Sequence, residues 1–461
     1  MGGGFFGLEI ARRGLDAQRK AIEVAAHNLA NATTPGYSRR TVTMSPISLA
    51  GSTSVLEPVG AGVEIDAIRR VRDQFLDAQY RKENTRLAEW EAREGILQKA
   101  EIIFGEPSES GLRSAMDAFW SSLLELAANP ESEAHRALVL ERAEAVGEIM
   151  GMVRGQLVEL RQDLDLEVRG QASRLNGIGK KVNDLQQQIR ILSAAGGEVN
   201  DLLDLRDRLL DELSSLATVE VRQGPDDTVS VWVGNNMFLS PYGLKLLEVD
   251  SDPDDEGMAV LSWVDGPALD ARGGRLAALL DLRDALIPAA IQDMESLARE
   301  TAASFNGRHR SGYDQDGLPG GDFFDPAAGS PLFSLDPGVR GAGRRIAAAS
   351  APAAGDGSNA VVLAELRGAP VVGGVSPEEH LRKMVGGIGL QSQEARELSE
   401  TRRLLVRQID GQRRSVSEVN IDEEMALIIR YQRAYEAAAR VVTVIDEMLE
   451  TVINRLGVAG R

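Results

Sequence analysis

A seven-residue apolar repeat marks the C-terminal end of the chain and dictates how that end can fold. Ile421, Ile428, Tyr435, Val442, Leu449 and Leu456 recur at every seventh position, and Tyr431, Ala438, Ile445 and Val452 follow at an offset of three. A sustained repeat of this period is the signature of a helix carrying a coiled-coil seam. A shorter series, Leu8, Leu15, Ile22 and Leu29, marks the N-terminal end, with Ala11, Ala25 and Ala26 at neighbouring offsets. Each seam is a narrow stripe that a single helix cannot bury alone. The partner is either the other end of the same chain or the central part, and periodicity does not choose between them.

Local signals delimit these helices. Asn420 stands where an N-cap belongs, with Glu423 three residues on, the capping-box spacing. Asp422, Glu423 and Glu424 fill the first turn, where the helix dipole favours negative charge. This acidic triplet therefore reads as a helix start rather than a metal site. At the other end, Thr34-Pro35-Gly36-Tyr37 predicts a type II turn that stops the N-terminal helix, with Gly36 at the position requiring positive φ.

Between the ends, residues 134–194 carry the longest helical pattern, with Met150, Leu157, Leu164, Gln171, Ile178, Leu185 and Leu192 at seven-residue spacing. Asn129-Pro130-Glu131 is read as its opening, and Gly147, Gly151, Gly155, Gly170, Gly177 and Gly179 as places where it can bend or break. Further helices are expected at about 68–104, 111–127, 199–216, 274–306 and 376–412. Val219, Val221, Val229, Val231 and Val233 alternate with polar residues, the period of half-buried strands. The expected fold is therefore mainly α with a small β insert. Residues 1–36 and 418–461 would form a terminal, coiled-coil-like inner domain. Residues 37–217 and 265–417 would form a long-helix bundle, with a Gly/Pro/Asp-rich loop region at about 307–359. Residues 218–264 would form the outer β insert.

Composition narrows the chemistry. With 51 basic and 70 acidic residues in 461, the net charge is −19, which disfavours binding to nucleic acid. The absence of cysteine removes disulfides, thiolate nucleophiles and sulfur-ligated zinc. The four histidines, His27, His135, His309 and His380, have no metal-ligand spacing, and His309 is expected at the surface. Tyr313-Asp314-Gln315-Asp316-Gly317 fails as a calcium loop, since the first and last ligand positions would fall on Gly312 and Phe323, so it reads as a turn. Arg12-Arg13, Arg39-Arg40 and Arg413-Arg414 lie near the terminal segments, where acidic neighbours could pair with them. No catalytic, cofactor-binding or metal-binding set is expected. No apolar run is long enough for membrane insertion, and the first residues lack a cleavable secretory signal.

The stretch Asn28-Leu29-Ala30-Asn31-Ala32-Thr33-Thr34-Pro35-Gly36-Tyr37-Ser38-Arg39 resembles the N-terminal motif of the flagellar rod, hook and hook-associated proteins. Val419-Asn420-Ile421-Asp422-Glu423-Glu424, continuing to Arg430-Tyr431-Gln432-Arg433-Ala434-Tyr435, resembles their C-terminal motif. The helix from Val199 to Leu213, Gly273-Gly274-Arg275-Leu276 with Leu282-Arg283-Asp284, and Asn306-Gly307 followed by Gly312-Tyr313-Asp314 and Phe323-Phe324 resemble motifs of the hook-associated branch. The resemblance implies a non-enzymatic subunit of the hook–filament junction, exported without a cleaved signal by the flagellar type III route and located outside the cell. It also implies self-association in a ring-like layer, contact with hook protein and with a second junction protein (hook-associated protein 3), and an export chaperone covering the C-terminal seam. The two motifs and the two seams would be the assembly sites. A rod or hook protein is the alternative; a secreted peptidoglycan-cleaving enzyme and a coiled-coil adhesin are more distant ones.

Overall fold

A computed structural model describes the chain except residues 1, 48–59, 61, 107, 109–110, 226, 327–331 and 457–461. It is mainly helical, with a small β insert. Among the described residues, no helix is long and apolar enough to cross a membrane.

The two ends pair with each other. Helix α1 (Gly2–Ala30) lies antiparallel to α10 (Ile421–Leu456). Gly7 faces Ile445, Gly14 faces Ala438 and Asn28 bonds Glu424, so each seven-residue step forward on α1 meets a seven-residue step backward on α10. The C-terminal series holds in part. Ile428, Tyr431, Ala438, Val442, Ile445 and Leu449 are partly buried, whereas Ile421 and Tyr435 are exposed and Ala434 takes the inward place beside Tyr435. The side chains of Val452 and Leu456 lie outside the described residues. On α1 the expected stripe is displaced by one residue. The buried face is Ala11, Ala17, Ala21, Val24, Ala25 and Asn28, and Leu8, Leu15, Ile22 and Leu29 flank it half-buried. Small residues win the central line because they let the two backbones approach; a Cβ on Gly7 would already stand 3.2 Å from Ile445 Cδ1.

After α1 comes an antiparallel hairpin, β1 (Arg40–Pro46) and β2 (Val63–Arg70). The expected helix at 68 therefore begins later, because Val63, Ile65 and Ala67 alternate with charged residues as a strand does. Helix α2 (Gln74–Phe104) is capped by Asp73, which accepts from Phe75 N at 2.8 Å, and ends on left-handed Gly105. It packs antiparallel to α9 (Pro377–Ser417) through pairs such as Arg403–Glu91 at 2.8 Å. Helix α3 (Leu112–Ala128) packs on the spine of the bundle, α4 (Glu133–Ala194), which runs unbroken for 62 residues. Its cap is Ser132, three residues beyond the expected opening at Asn129. The seam from Met150 to Leu185 is largely buried and Leu192 is exposed. Helix α5 (Asn200–Leu216) then folds back along α4 and α2.

The glycines of α4 do not break it, and two of them serve close approach. A Cβ on Gly147 would lie 2.8 Å from the Phe333 carbonyl oxygen, and one on Gly179 would lie 2.3 Å from the Phe238 ring. Gly151 faces open space. Gly147→Ala is therefore expected to destabilise by about 1–3 kcal/mol through overpacking against backbone. Gly151→Ala, one turn on, should be neutral or stabilise by up to about 1 kcal/mol. Urea unfolding of the two variants checks the contrast.

The insert is an antiparallel meander, β3 (Val219–Gln223), β4 (Val229–Val233), β5 (Asn236–Ser240) and β6 (Gly243–Leu244), beside a separate pair, β7 (Leu247–Ser251) and β8 (Ala259–Trp263). Val229, Val231 and Val233 point inward, and Phe238 packs on Trp263 with ring centroids 5.8 Å apart. Helix α6 (Gly274–Asp281) continues through a π turn at Leu282–Leu286 into α7 (Ile287–His309). The π turn precedes Pro288, which has no N–H to offer the regular ladder. The region 307–359 has no regular strand among the described residues, only isolated bridges and a 3₁₀ turn at Gly343–Arg345, before α8 (Ser358–Glu365) begins. It is held by buried Phe323, Phe324 and Phe333 packed on Phe119 and Phe305. His309, expected at the surface, is completely buried there.

Candidate functional site

Three of the stretches that carry the family resemblance, the two end motifs and the helix from Val199, come together in space. The hub is Asn28, one of the last residues of α1 and only 1% exposed. Its Nδ2 donates to the Arg40 carbonyl at 2.9 Å and to Glu424 Oε2 at 3.1 Å. Its Oδ1 accepts from Arg40 N at 2.9 Å and from the Tyr37 hydroxyl at 2.7 Å. One amide thus closes the turn on itself and ties it to α10. With the Tyr37 proton committed to Asn28, the contact of His27 Nδ1 with the Tyr37 oxygen, at 3.0 Å, is one in which the imidazole donates. Burial pushes the Tyr37 phenol up to about 12, so it stays a donor.

Gly36 adopts φ +79°, and Tyr37 N donates to the Thr34 carbonyl at 3.2 Å, the geometry of a type II turn with Pro35 leading. The turn aims Ser38 at α5, where its Oγ and N–H donate to Asp204 at 2.7 and 3.2 Å. Arg39 runs the other way, donating to Glu424 Oε1 at 2.7 Å and reaching Glu423 at 3.1 Å, while its N–H bonds the Ser417 carbonyl at 2.8 Å. Arg40 pairs with Asp201. Gly36→Val forces a β-branched residue into the left-handed region and is expected to cost about 1–3 kcal/mol. Gly36→Asn, which tolerates that conformation better, should cost less. Protease sensitivity of α1, with urea unfolding, separates the two.

Beneath the turn lies an acidic face of α5. Asp201, Asp204, Asp207 and Asp211 are spaced by three, three and four residues, which places them along one side of the helix. Arginines from four other segments meet them. Arg70 bonds Asp204 at 2.8 Å and Asp207 at 2.9 Å; Arg72 reaches Asp207 at 3.2 Å; Arg81 bonds Asp211 at 2.7 Å; Arg413 bonds Asp211 at 2.7 Å. Burial alone would raise the Asp207 carboxyl, but Arg72, Arg70, Arg81 and Arg206 outweigh it and hold it below the usual carboxylate range. Burial also lowers Arg206 to about 10, which leaves it charged at neutral pH. This cluster anchors the terminal pair to the helical bundle through α5, α2 and α9.

The expected site residues distribute as follows. Asn28, Tyr37, Ser38 and Arg39 converge on the hub, and Pro35 and Gly36 form its turn. Asn31 bonds back to the His27 carbonyl at 3.0 Å. Asn420 caps α10, accepting from Asp422 N at 3.0 Å, while Glu423 pairs with Arg39 instead of closing a capping box. Gln432 is exposed on α10. Sequence reasoning read Glu424 only as part of a helix start and Arg40 only as a cation that acidic neighbours could pair with, as Asp201 does, and it passed over Asp201, Asp204, Asp207 and Arg70 as site residues. The three- and four-residue spacing of aspartates on α5 was a usable signal, because like charges along one face require cations opposite.

The chain matches three family models: the flagellar hook-associated protein FlgK helical domain over residues 97–324, the flagellar basal body rod protein model over 8–37, and the C-terminal model of the FlgEFG rod proteins over 415–456. It is 31% identical to flagellar hook-associated protein 1 of Bacillus subtilis, with 99% of each chain covered. It is 24% identical to the protein of the same name from Escherichia coli, with 96% of this chain and 98% of that one covered. Among solved structures, the flagellar hook junction protein FlgK of Burkholderia pseudomallei shares the fold, with a TM-score of 0.66 at 16% identity over 74% of this chain and all of that one.

Proposed function

The chain belongs to the flagellar hook-associated protein 1 family, and from that premise we propose that it forms the junction layer between hook and filament. Its role is structural and its place is the flagellum. The observation that carries the finer reading is the paired α1 and α10, which bury a common face yet leave apolar side chains of α10 uncovered. Met425, Ile429, Val441, Val444 and Met448 of α10 are between 47% and 62% exposed. Exposed apolar side chains of this kind, together with half-buried Leu8, Leu15 and Ile22 of α1, suit lateral packing of terminal pairs into a ring-like layer. The hook protein below and hook-associated protein 3 above are the proposed axial neighbours. The same helix, before export by the type III route, would engage a chaperone through Val442 and Leu449, which then must compete with α1 for that face.

An enzymatic role draws no support from the carboxylates of the junction. Glycoside hydrolysis needs one carboxyl held protonated and one free to act. Asp207 is stabilised as an anion, and Asp77 is engaged by Arg72 at 2.7 Å and Arg413 at 3.5 Å.

The test is a strain lacking the gene, complemented with the chain carrying Val441→Asp and Met448→Asp. Wild-type chain should restore filaments to bare hooks. The double variant should be secreted and folded but absent from hook tips, with flagellin shed as monomer. Filaments growing on the double variant would remove the lateral-packing reading.

A further inference from the structure

Among the described residues, the region 312–349 has little secondary structure of its own, and one imidazole joins two of its separate segments to the helical bundle. His309 lies in the last turn of α7 with no solvent exposure. The Ala347 N–H donates to His309 Nε2 at 2.9 Å. A nitrogen that accepts from an N–H carries no proton, so the ring proton sits on Nδ1, which donates to the Gly321 carbonyl at 2.8 Å. The ring stacks on Phe305, at 6.3 Å between centroids, and meets Phe323 edge-on at 5.4 Å. We propose that His309 is an acid-sensitive latch, which holds the 346–349 segment against α7 only while its imidazole is neutral.

Protonation at Nε2 would set two N–H donors against each other and break the Ala347 bond. It would also place a charge among aromatic rings. Burial opposes that charge and lowers the imidazole from its ordinary value, only partly offset by the Gly321 bond and by Asp322 and Asp314. The charged groups around the latch are already engaged. Asp322 is paired with Arg310, the residue that follows the last of α7, at 2.5 Å. Asp314 accepts from Asp316 N and Leu318 N, each at 2.9 Å, with Arg345 at 3.8 Å. From α4, Arg136 is bound to the Ile346 carbonyl at 2.8 Å. From α8, the neutral Asn359 bonds the Ala347 carbonyl at 2.6 Å and the Ala360 N–H donates to the Ala348 carbonyl at 3.0 Å.

Because the folded form resists the proton, the unfolded or opened form binds more protons below the ordinary histidine value of about 6.5. Stability is therefore full above that pH and falls as the pH drops beneath it, by at most roughly tenfold in the equilibrium constant per pH unit for one group. Only three other histidines are present, so the assignment is tractable. The experiment follows the full chain from pH 7.5 to 5, recording the four imidazole resonances and the protection of the Ala347 amide against hydrogen exchange. The expected result is a His309 signal that stays neutral where exposed imidazoles titrate, with Ala347 protection lost at the acid end after correction for intrinsic exchange. His309→Gln, which does not titrate, should abolish the acid-dependent part of that loss. A His309 resonance titrating near its ordinary value would overturn the proposal. So would an unchanged acid dependence in His309→Gln. If that variant does not fold, the wild-type titration decides alone.

Discussion

Replacement of Glu424 by alanine is expected to detach the terminal helix pair while leaving the bundle folded. Glu424 is 1% exposed and receives two hydrogen bonds, from Asn28 Nδ2 at 3.1 Å and Arg39 Nε at 2.7 Å. Removing it deprives two largely buried donors of their carboxylate at once. Breaking a buried pair from one side costs about 3–5 kcal/mol. Arg39 keeps Glu423 as a second, exposed partner, so the lower end of that range applies. The loss falls on a substructure without a large core of its own, since the α1 side of the α1–α10 contact is centred on glycine and alanine and the apolar residues of α10 are only partly buried. An early, separate melting step for the terminal pair is therefore expected, followed by the unchanged transition of the bundle. Hydrogen exchange along α1 and α10 reads this directly. Glu424→Gln, which keeps an acceptor for Asn28, should be intermediate. Glu423→Ala removes only an exposed contact and should cost less than about 1 kcal/mol. Equal effects at 423 and 424 would mean that the hub does not hold the ends.

The same two residues mark where the sequence was legible and where it was not. Stepping back seven from Tyr431 lands on Glu424, and stepping back seven at a time from Asn28 lands on Ala21, Gly14 and Gly7. The true seams thus include one polar residue each, and those two residues bond to each other. A single polar pair in an otherwise apolar seam fixes register. Reading for large aliphatic residues selected Leu8, Leu15, Ile22 and Leu29 because glycine and alanine contribute little apolar area, although they set the distance between backbones. The long helices were legible because their apolar period persists over many turns. The hairpin β1–β2 is short, and its second strand runs into the charged residues that precede α2. The region 307–359 has no period at all; it is organised by side chains bonding main chain, such as Asn306 accepting from Phe323 N and Phe324 N at 2.9 Å each. Such bonds depend on which segments meet, and spacing along the chain does not encode them.

Asp207→Asn is the second change expected to be large, and its signature lies in pH. The carboxylate sits among Arg70, Arg72, Arg81 and Arg206, all largely buried. The first three each keep another carboxylate, Asp204, Asp77 and Asp211 respectively. Arg206 bonds the Asp227 carbonyl, and the nearby anions that offset its charge are Asp207 first and then Asp227. An amide of the same shape leaves four guanidiniums with one fewer anion, at an expected cost of about 3–5 kcal/mol at neutral pH. The folded protein holds this carboxyl below its ordinary value of about 3.9. Its contribution is therefore complete above that value and is lost as the pH falls through the folded value, where the wild-type carboxyl also becomes neutral. Urea unfolding at pH 7 and again near pH 3 should show a wide gap between wild type and Asp207→Asn that narrows toward the acid end. A gap that stays constant across that range would assign the cost to altered packing of the amide rather than to the lost charge.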